Sequence, residues 1–369
     1  MKKTLIASVI FGLFTGNTMA NQQGVEETEQ LRKIIAEQQK VLASLEKRLD
    51  ETDQKLNATA DHIEVNTQES IFSKTTIGGY GELHYNNYDS KDAKIDFHRF
   101  VLFFGHEFSD NVRFFSEFEL EHSLAGDGKP GEVELEQAYV EVDINETTSS
   151  KVGLFLVPVG IINETHEPPT FYGVERNGVE KNIIPATWWE AGLAANFKVA
   201  PGLSIDAAVT SGLNVVNDVT NKNAYLIRKG RQKVANASAE NLAYTGRVKY
   251  TAINGLELAA TVQYQTDITQ SAASVDEASA TLIEAHAIYQ INDFSVRALY
   301  ATWDIDGAEA KALGRDEQTG WYVEPSYKIN EEFGVRCFIR DSAPGGRRGE
   351  RYGLDAKGAA YPRLGTDYG

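Results

Sequence analysis

The sequence predicts a transmembrane β-barrel preceded by an α-helical coiled coil. Three observations predict it. From Thr75 onward, segments of about ten residues alternate apolar and polar side chains. The connections between these segments alternate between short and long. A seven-residue apolar repeat fills the stretch before them.

Composition narrows the function. The 369 residues carry a net charge of -17, which argues against a nucleic-acid partner, because phosphate binding needs clustered Lys and Arg. Mean hydropathy is -0.35 and no internal apolar run approaches the ~18 residues of a spanning helix, so a bundle of membrane helices is excluded. Cys337 is the single cysteine, so an internal disulfide is impossible.

Lys2 and Lys3, the apolar run Leu5 to Phe14 and the small-x-small end Thr18-Met19-Ala20 have the layout of a secretory signal peptide over 1–20. That reading implies export of the mature chain; with the barrel pattern described below, the expected location is the outer membrane of a Gram-negative bacterium. A short N-terminal helix is the plainer alternative.

Residues 21–66 read as a periplasmic coiled coil. One seam position is Thr28, Ile35, Leu42, Leu49, Leu56, Ile63, and the other is Leu31, Gln38, Leu45, Thr52, Thr59. The stripe is narrower than the face of a core helix. It predicts self-association, because an isolated amphipathic helix draws its stability from a partner. A solvated helix packed on the barrel is the alternative.

Residues 75–340 read as the barrel. Ile77, Gly79, Gly81, Leu83 and Tyr85 oppose Tyr80, Glu82, His84 and Asn86, and Leu256, Leu258, Ala260, Val262 and Tyr264 oppose Glu257, Thr261, Gln263 and Gln265. A soluble sandwich also alternates. Two features favour the membrane: Val112 to Glu121 gathers several charges on one face, and long connections fall on every second turn. They are 87–94, 123–131, 163–187, 211–240, 267–276 and 304–318. Short periplasmic turns and long external loops are the barrel pattern. The stretch Ile95 to Ser109 is apolar on both sides around Arg99, which predicts either a bulge or burial of both sides by an in-folded loop. Pro325 is expected at a bulge or rim.

The connection between the strands ending at Pro158 and starting at Trp188 is the longest without an apolar period. It holds Pro168, Pro169 and Pro185, and the charges Glu175, Arg176, Glu180 and Lys181. Long irregular connections are usually functional, and this one is expected to fold into the barrel mouth. The expected constriction sets these four residues against the pore-lining Arg99, Arg113, Glu117, Glu119, Glu121, Glu141, Arg247 and Arg297.

The strands Phe97-His98-Arg99 and Glu136-Gln137-Ala138-Tyr139-Val140-Glu141 carry a family resemblance. So do Gly153-x-Phe155-x-x-Pro158-x-Gly160, the pair Glu175-Arg176, Trp188-Trp189-x-x-Gly192, and Gly320-Trp321-Tyr322-Val323-Glu324-Pro325-Ser326-Tyr327 followed by Phe333-Gly334-Val335. Together they resemble the phosphate-selective porin O/P family, over Thr75 to Arg336. The resemblance implies sixteen antiparallel strands, a homotrimer, a diffusion pore and a third external loop folded inward. It is also similar in having a periplasmic coiled coil.

Two departures stand out. The family's phosphate-binding members line the lumen with arginine and lysine, whereas Glu117, Glu119, Glu121 and Glu141 mix the charge here, so phosphate selectivity is not carried over. After Arg336 the alternation collapses, and about thirteen strands are readable. The tail 341–369 is expected to be irregular: a frameshifted or truncated reading frame is one account, an external tail the other.

Other motifs carry less. His84, His98, His106 and His122 lack ligand spacing and read as lumen or interface histidines. Asp304-Ile305-Asp306-Gly307 lacks the distal Glu of a calcium loop. Glu117 and Glu119 share a face and read as a negative wall rather than a general acid/base pair. Trp188-Trp189 reads as part of an aromatic girdle, with a sugar-stacking platform as the sharper alternative. No enzyme motif is present, and neither a cofactor nor a metal is expected. The expected function is passive diffusion of small hydrophilic or ionic solutes, with a lean toward cations from the acidic strands. Expected partners are outer-membrane lipid and peptidoglycan. The alternative is a structural or adhesive protein tethered to the cell wall through its coiled coil.

Overall fold

A computed structural model describes residues 33, 35–40, 43, 74–88, 91–170, 172, 176–271, 277–330, 334–336 and 339–343. The chain divides into two compact units, Met1–Ile71 and Phe72–Gly369. In the first unit, residues 33, 35–40 and 43 are helical and exposed. The signal segment and most of the heptad seam lie outside the described residues.

The second unit is one antiparallel sheet. Its strands are β1 (Thr75–Tyr88), β2 (Lys91–Ser109), β3 (Val112–Glu121), β4 (Val133–Asn145), β5 (Thr148–Leu156), β6 (Trp189–Ala200), β7 (Leu203–Thr210), β8 (Ala243–Tyr250), β9 (Leu256–Gln265), β10 (Ser279–Ile291), β11 (Phe294–Asp306) and β12 (Glu317–Lys328). Two short pieces follow, β13 (Gly334–Arg336) and β14 (Ile339–Ala343). Each strand pairs with the next from β1 to β12, so every connection is a hairpin. Tight turns such as 110–111, 146–147 and 292–293 occupy one end. The other end carries the connections 89–90, 122–132, 157–188, 211–242, 266–278 and 307–316, here called loops 1 to 6. The expected first long connection, 87–94, is therefore a tight hairpin, because β1 and β2 continue their pairing to Tyr88 and Lys91.

The sheet is inverted relative to a soluble protein. Along β9, Leu258, Val262 and Tyr264 are exposed, while Thr261, Gln263 and Gln265 are buried. The same holds on β1 to β3, where Ile77, Leu83, Phe100, Leu102 and Phe118 point out and His84, Arg99, Glu117 and Glu119 point in. Water on the outer face would leave a continuous apolar surface far larger than soluble monomers tolerate. Lipid outside and polar groups inside satisfy both faces.

The bulge expected in β2 is present. Glu82 pairs with Arg99 and Leu83 with Phe97, so His98 is the extra residue, and a second shift lies at Phe108. The first bulge changes the phase of alternation, which is why this stretch is apolar on both sides in one dimension. It turns Asp96 and His98 inward before the shift and Arg99 and Val101 inward after it.

Three expectations are corrected. Pro325 lies within β12 opposite Val296, with no register shift against β11. The stretch after Arg336 is not free of strand, because Ile339–Ala343 pairs with β12, past the expected boundary at 340. β13 and β14 lie end to end on one register, Ser326 opposite Arg336 and Val323 opposite Ile339, so they are halves of one thirteenth position. Sixteen strands are not reached among the described residues. β1 pairs with β2 alone, so these residues form an open, curled sheet rather than a closed barrel.

Candidate functional site

Loop 3 fills the space the sheet curls around. Its neck is fastened by Asn163, buried between the two chain ends. Asn163 Nδ2 donates to the carbonyls of Val157 (2.8 Å) and Trp188 (3.0 Å), and its Oδ1 accepts from the Trp188 amide at 2.7 Å. A short helix, α1 (Gly178–Asn182), is capped by Asn177, whose side chain accepts from the amides of Val179 and Glu180. Val157, Val159, Ile162, Val179, Ile183, Ile184 and Trp188 pack with Leu282, Trp303 and Tyr322 of β10 to β12 in one apolar cluster. An interior period was invisible in the sequence because these residues come from irregular backbone.

Glu180 holds the fold of the loop. Its Oε2 accepts from the amides of Ile161 (2.9 Å) and Ile162 (2.6 Å), and its Oε1 accepts from the Tyr322 hydroxyl at 2.5 Å. Gly160 sits at φ +70, and a Cβ there would stand 2.8 Å from Glu180 Oε2. The glycine of the motif is thus required both by its backbone angle and by the carboxylate it approaches.

Loop 3 then touches the wall on several sides. His166 Nε2 lies 3.1 Å from Glu117 Oε1 on β3 and 2.9 Å from Glu136 Oε2 on β4. Burial opposes charge on this imidazole, but its hydrogen bonds to Glu117 and Glu136 outweigh burial and push its pKa up to about 10. Glu164 pairs with Arg247 on β8, which also binds Asp206 at 2.8 Å. Arg297 on β11 donates to the Thr170 carbonyl at 2.7 Å and lies over the Tyr172 ring. One loop reaching β3, β4, β8 and β11 requires the sheet to wrap around it.

Loop 4 folds inward as well. Gln265 of β9 brackets Leu213, accepting from its amide and donating to its carbonyl, both at 2.9 Å. Gln318 of β12 donates to the Tyr225 carbonyl at 2.7 Å. Leu213, Val215, Tyr225 and Ile227 join the apolar cluster. The β9 to β12 side of the interior is therefore packed with side chains. The β1 to β4 side is charged.

Three arginines of loops 3 and 4 gather at the segment Ala186-Thr187. Arg176 donates to Thr187 Oγ1 (2.8 Å), Arg231 to the Thr187 carbonyl, and Arg228 to the carbonyls of Lys181 and Ala186 (3.1 Å to Ala186). Burial holds Arg228 down at about 10, assisted by Arg231 and Arg176. Burial also lowers Arg231 and Arg176, with Arg176 acting on the first and Arg99 on the second. Among the described residues none of the three pairs with a carboxylate. All three are half-buried.

The sequence-predicted residues divide. Arg99, Glu117 and Glu119 do meet at the inner wall: Arg99 lies 2.9 Å from Glu82 and 3.2 Å from Glu119, and Gln137 donates to Glu117 at 2.7 Å. Arg176 joins them from the loop, within electrostatic reach of Arg99, Glu119 and Glu136. Arg113 does not. It sits at the tight-turn end with Glu141 (3.1 Å) and Asp143 (2.6 Å). Glu180 is turned into the loop, so it fixes shape rather than facing Arg99 or Arg113. Lys181 is exposed, Glu121 is half-buried at the loop end of β3, Arg247 and Arg297 anchor loop 3, and Glu175 lies outside the described residues. The acidic wall is consequently an ion-paired wall. Trp188 and Trp303 lie 6.1 Å apart inside the cluster and Trp189 is buried, so the Trp pair is neither girdle nor open platform.

Sequence reasoning passed over Asn163, His166, Arg228 and Arg231. His166 and Asn163 lay inside the loop that was singled out. The basic run Arg228-Lys229-Gly230-Arg231-Gln232-Lys233 was the available signal for the others. His84, His98 and His122, set aside for want of spacing, are brought together from three strands. Asp96, His98 and His122 place donor atoms within 4.8 Å of one another, as do Glu117, Glu136 and His166.

Comparison with known proteins gives this arrangement a context. A relative from Aquifex aeolicus (strain VF5), described as an uncharacterized protein, is 33% identical over 277 residues. That match takes in 70% of this chain and 62% of the relative, so the chain spans less than two thirds of the relative's length. Among solved structures, an anion-selective porin from Comamonas acidovorans matches 72% of this chain and 78% of its own, at 10% identity and a TM-score of 0.48. The outer membrane channel DcaP of Acinetobacter baumannii matches 79% of this chain and 95% of its own, at 12% identity and a TM-score of 0.39. Residues 78–349 match the family phosphate-selective porin O and P. That span contains every strand from β2 to β14, both in-folded loops and the charged wall: the chain belongs to the phosphate-selective porin O and P family.

Proposed function

We propose that the protein is a passive outer-membrane channel whose passage runs between the charged wall of β1 to β4 and the in-folded loops 3 and 4, and that it favours small anions. The observation that carries the anion preference is the arginine trio Arg176, Arg228 and Arg231, which among the described residues bonds to no carboxylate, while Glu119, Glu141 and Glu164 are ion-paired to arginines and Glu117 and Glu136 to His166. A solute at this point meets three guanidinium groups that carboxylates such as Glu136 offset through space but do not bond, in a place where burial strengthens their charge. The lean toward cations drawn from the acidic strands is given up for that reason.

Assembly as a homotrimer in the outer membrane fits the exposed apolar face and the seam residue Ile35, which is exposed in the single chain. A periplasmic coiled coil that reaches peptidoglycan is part of this proposal and rests on the heptad seam of the sequence. The wall residues of the proposed constriction are Arg99, Glu117, Glu119 and Glu121, with Glu175, Arg176 and Lys181 from the loop.

Planar-bilayer conductance of the purified full chain tests the reading. Current with a reversal potential of the sign of anion preference is expected in a salt gradient. Arg176→Glu with Arg231→Glu should invert that sign. Absence of any current would end the channel reading, and an unchanged reversal potential in the double variant would end the anion reading.

A further inference from the structure

We propose that Asp96, His98 and His122 form a binding site for a divalent transition-metal ion such as Zn²⁺ at the loop end of the sheet. β2 and the end of β3 bring the ligands together, with β1 alongside. Asp96 and His98 lie two apart on the inner face of β2, His84 of β1 is the direct partner of Asp96, and His122 leaves β3 opposite His98. The His122 amide donates to the His98 carbonyl at 3.0 Å, so the two imidazoles are tied to one register. His122 then takes φ +54, which ends the strand and turns its ring back over the sheet. Histidine is among the few residues that enter this region with any frequency.

The ligand atoms are already converged. His122 Nδ1 lies 2.8 Å and His98 Nδ1 lies 3.4 Å from the same oxygen, Asp96 Oδ2, and all three donor atoms fall within 4.8 Å of one another. Two imidazoles crowd one carboxylate oxygen, and a third ring, His84, stacks on His98 at 4.4 Å and 13°. Two imidazoles with one carboxylate make a nitrogen-rich donor set for a borderline metal, unlike the all-oxygen sets of Ca²⁺ and Mg²⁺. His84 Nε2 is held by Glu82 Oε1 at 2.5 Å, the carboxylate–histidine support that orients rings around metal sites.

Three protein ligands leave coordination positions open. Asp96, His98 and His122 are each about a quarter to a third exposed, so those positions face solvent. The ion adds a positive charge on the inner face that Arg99 also uses, and its open position accepts an anionic or carboxylate-bearing group. The β2 bulge is essential: it is the shift at His98 that puts Asp96 and His98 on the face that Arg99 also uses.

Equilibrium dialysis of the purified full chain against Zn²⁺, followed by metal analysis, tests the proposal. One zinc per chain is expected. His98→Ala with His122→Ala should weaken binding about tenfold or more, whereas His106→Ala, near the tight turns and bonded to Thr75, should leave it unchanged. Electron paramagnetic resonance of the Cu²⁺-loaded wild-type chain needs no variant and should report two coordinated imidazole nitrogens. No bound zinc in the wild type, equal binding in the double variant, or a copper spectrum without nitrogen coupling would each overturn the site. Zinc binding is read without conductance, so a chain that binds zinc and passes no current would sink the channel reading alone.

Discussion

Glu180 is a charged residue doing the work of a backbone fastener. Its two amide bonds and its bond from Tyr322 hold the turn Ile161-Ile162 against β12. Replacing it by Leu leaves these buried donors unpaired, and each unpaired buried group costs about 1–3 kcal/mol. Glu180→Leu is therefore expected to destabilise the folded chain by about 3 kcal/mol or more, measured by urea unfolding in detergent. Gly160→Ala should act on the same contact, by displacing the carboxylate and straining a positive φ. His166 supplies a pH-dependent fastener. Its pKa is raised from the ordinary 6.5 to about 10, so its contribution is fully present below pH 6.5 and is lost as pH rises through 10. The thermal midpoint of the wild type should fall across that window more steeply than that of His166→Gln. Equal slopes would assign the loop's anchoring elsewhere.

At the scale of elements, loops 3 and 4 act as inserts held by polar side chains of the wall. Asn163 closes the neck of loop 3, and Gln265 and Gln318 clip loop 4 to β9 and β12. Gln265→Leu removes both bonds to Leu213 and is expected to release loop 4, raising single-channel conductance and current noise without changing β-sheet content by circular dichroism. The inserts also explain what the sequence hid. Strand existence was legible, since alternation at period two survives in one dimension. The β2 bulge was legible as a failure of that alternation. The apolar packing of loop 3 was not, because Val157, Val179, Ile183 and Trp188 follow no period. Loop 4 read as an ordinary external connection, although its arginines complete the site. Pro325 was read as a rim marker, yet it fits in β12 opposite Val296.

The whole molecule is organised by its inverted faces. Val262 is half-exposed on the outer face and Thr261 beside it is fully buried on the inner one. Val262→Arg should cost about 2–4 kcal/mol if its depth is the bilayer midplane, read from folding into lipid vesicles. Thr261→Arg is expected to alter conductance instead. An equal effect of the two substitutions would contradict the assignment of lipid to the outer face. The sequence by itself determined the sheet, its hairpin order and the division into an apolar and a polar face, because pleat alternation and loop length are local properties of a chain. It also carried the family motifs. Only the tertiary structure decided which charges meet. Glu117 and Glu136 meet His166 of loop 3, Arg176 of loop 3 meets Arg228 and Arg231 of loop 4, and His122 meets Asp96 and His98 across a hairpin, so strand register and the infolding of loops, not spacing along the chain, bring these groups together.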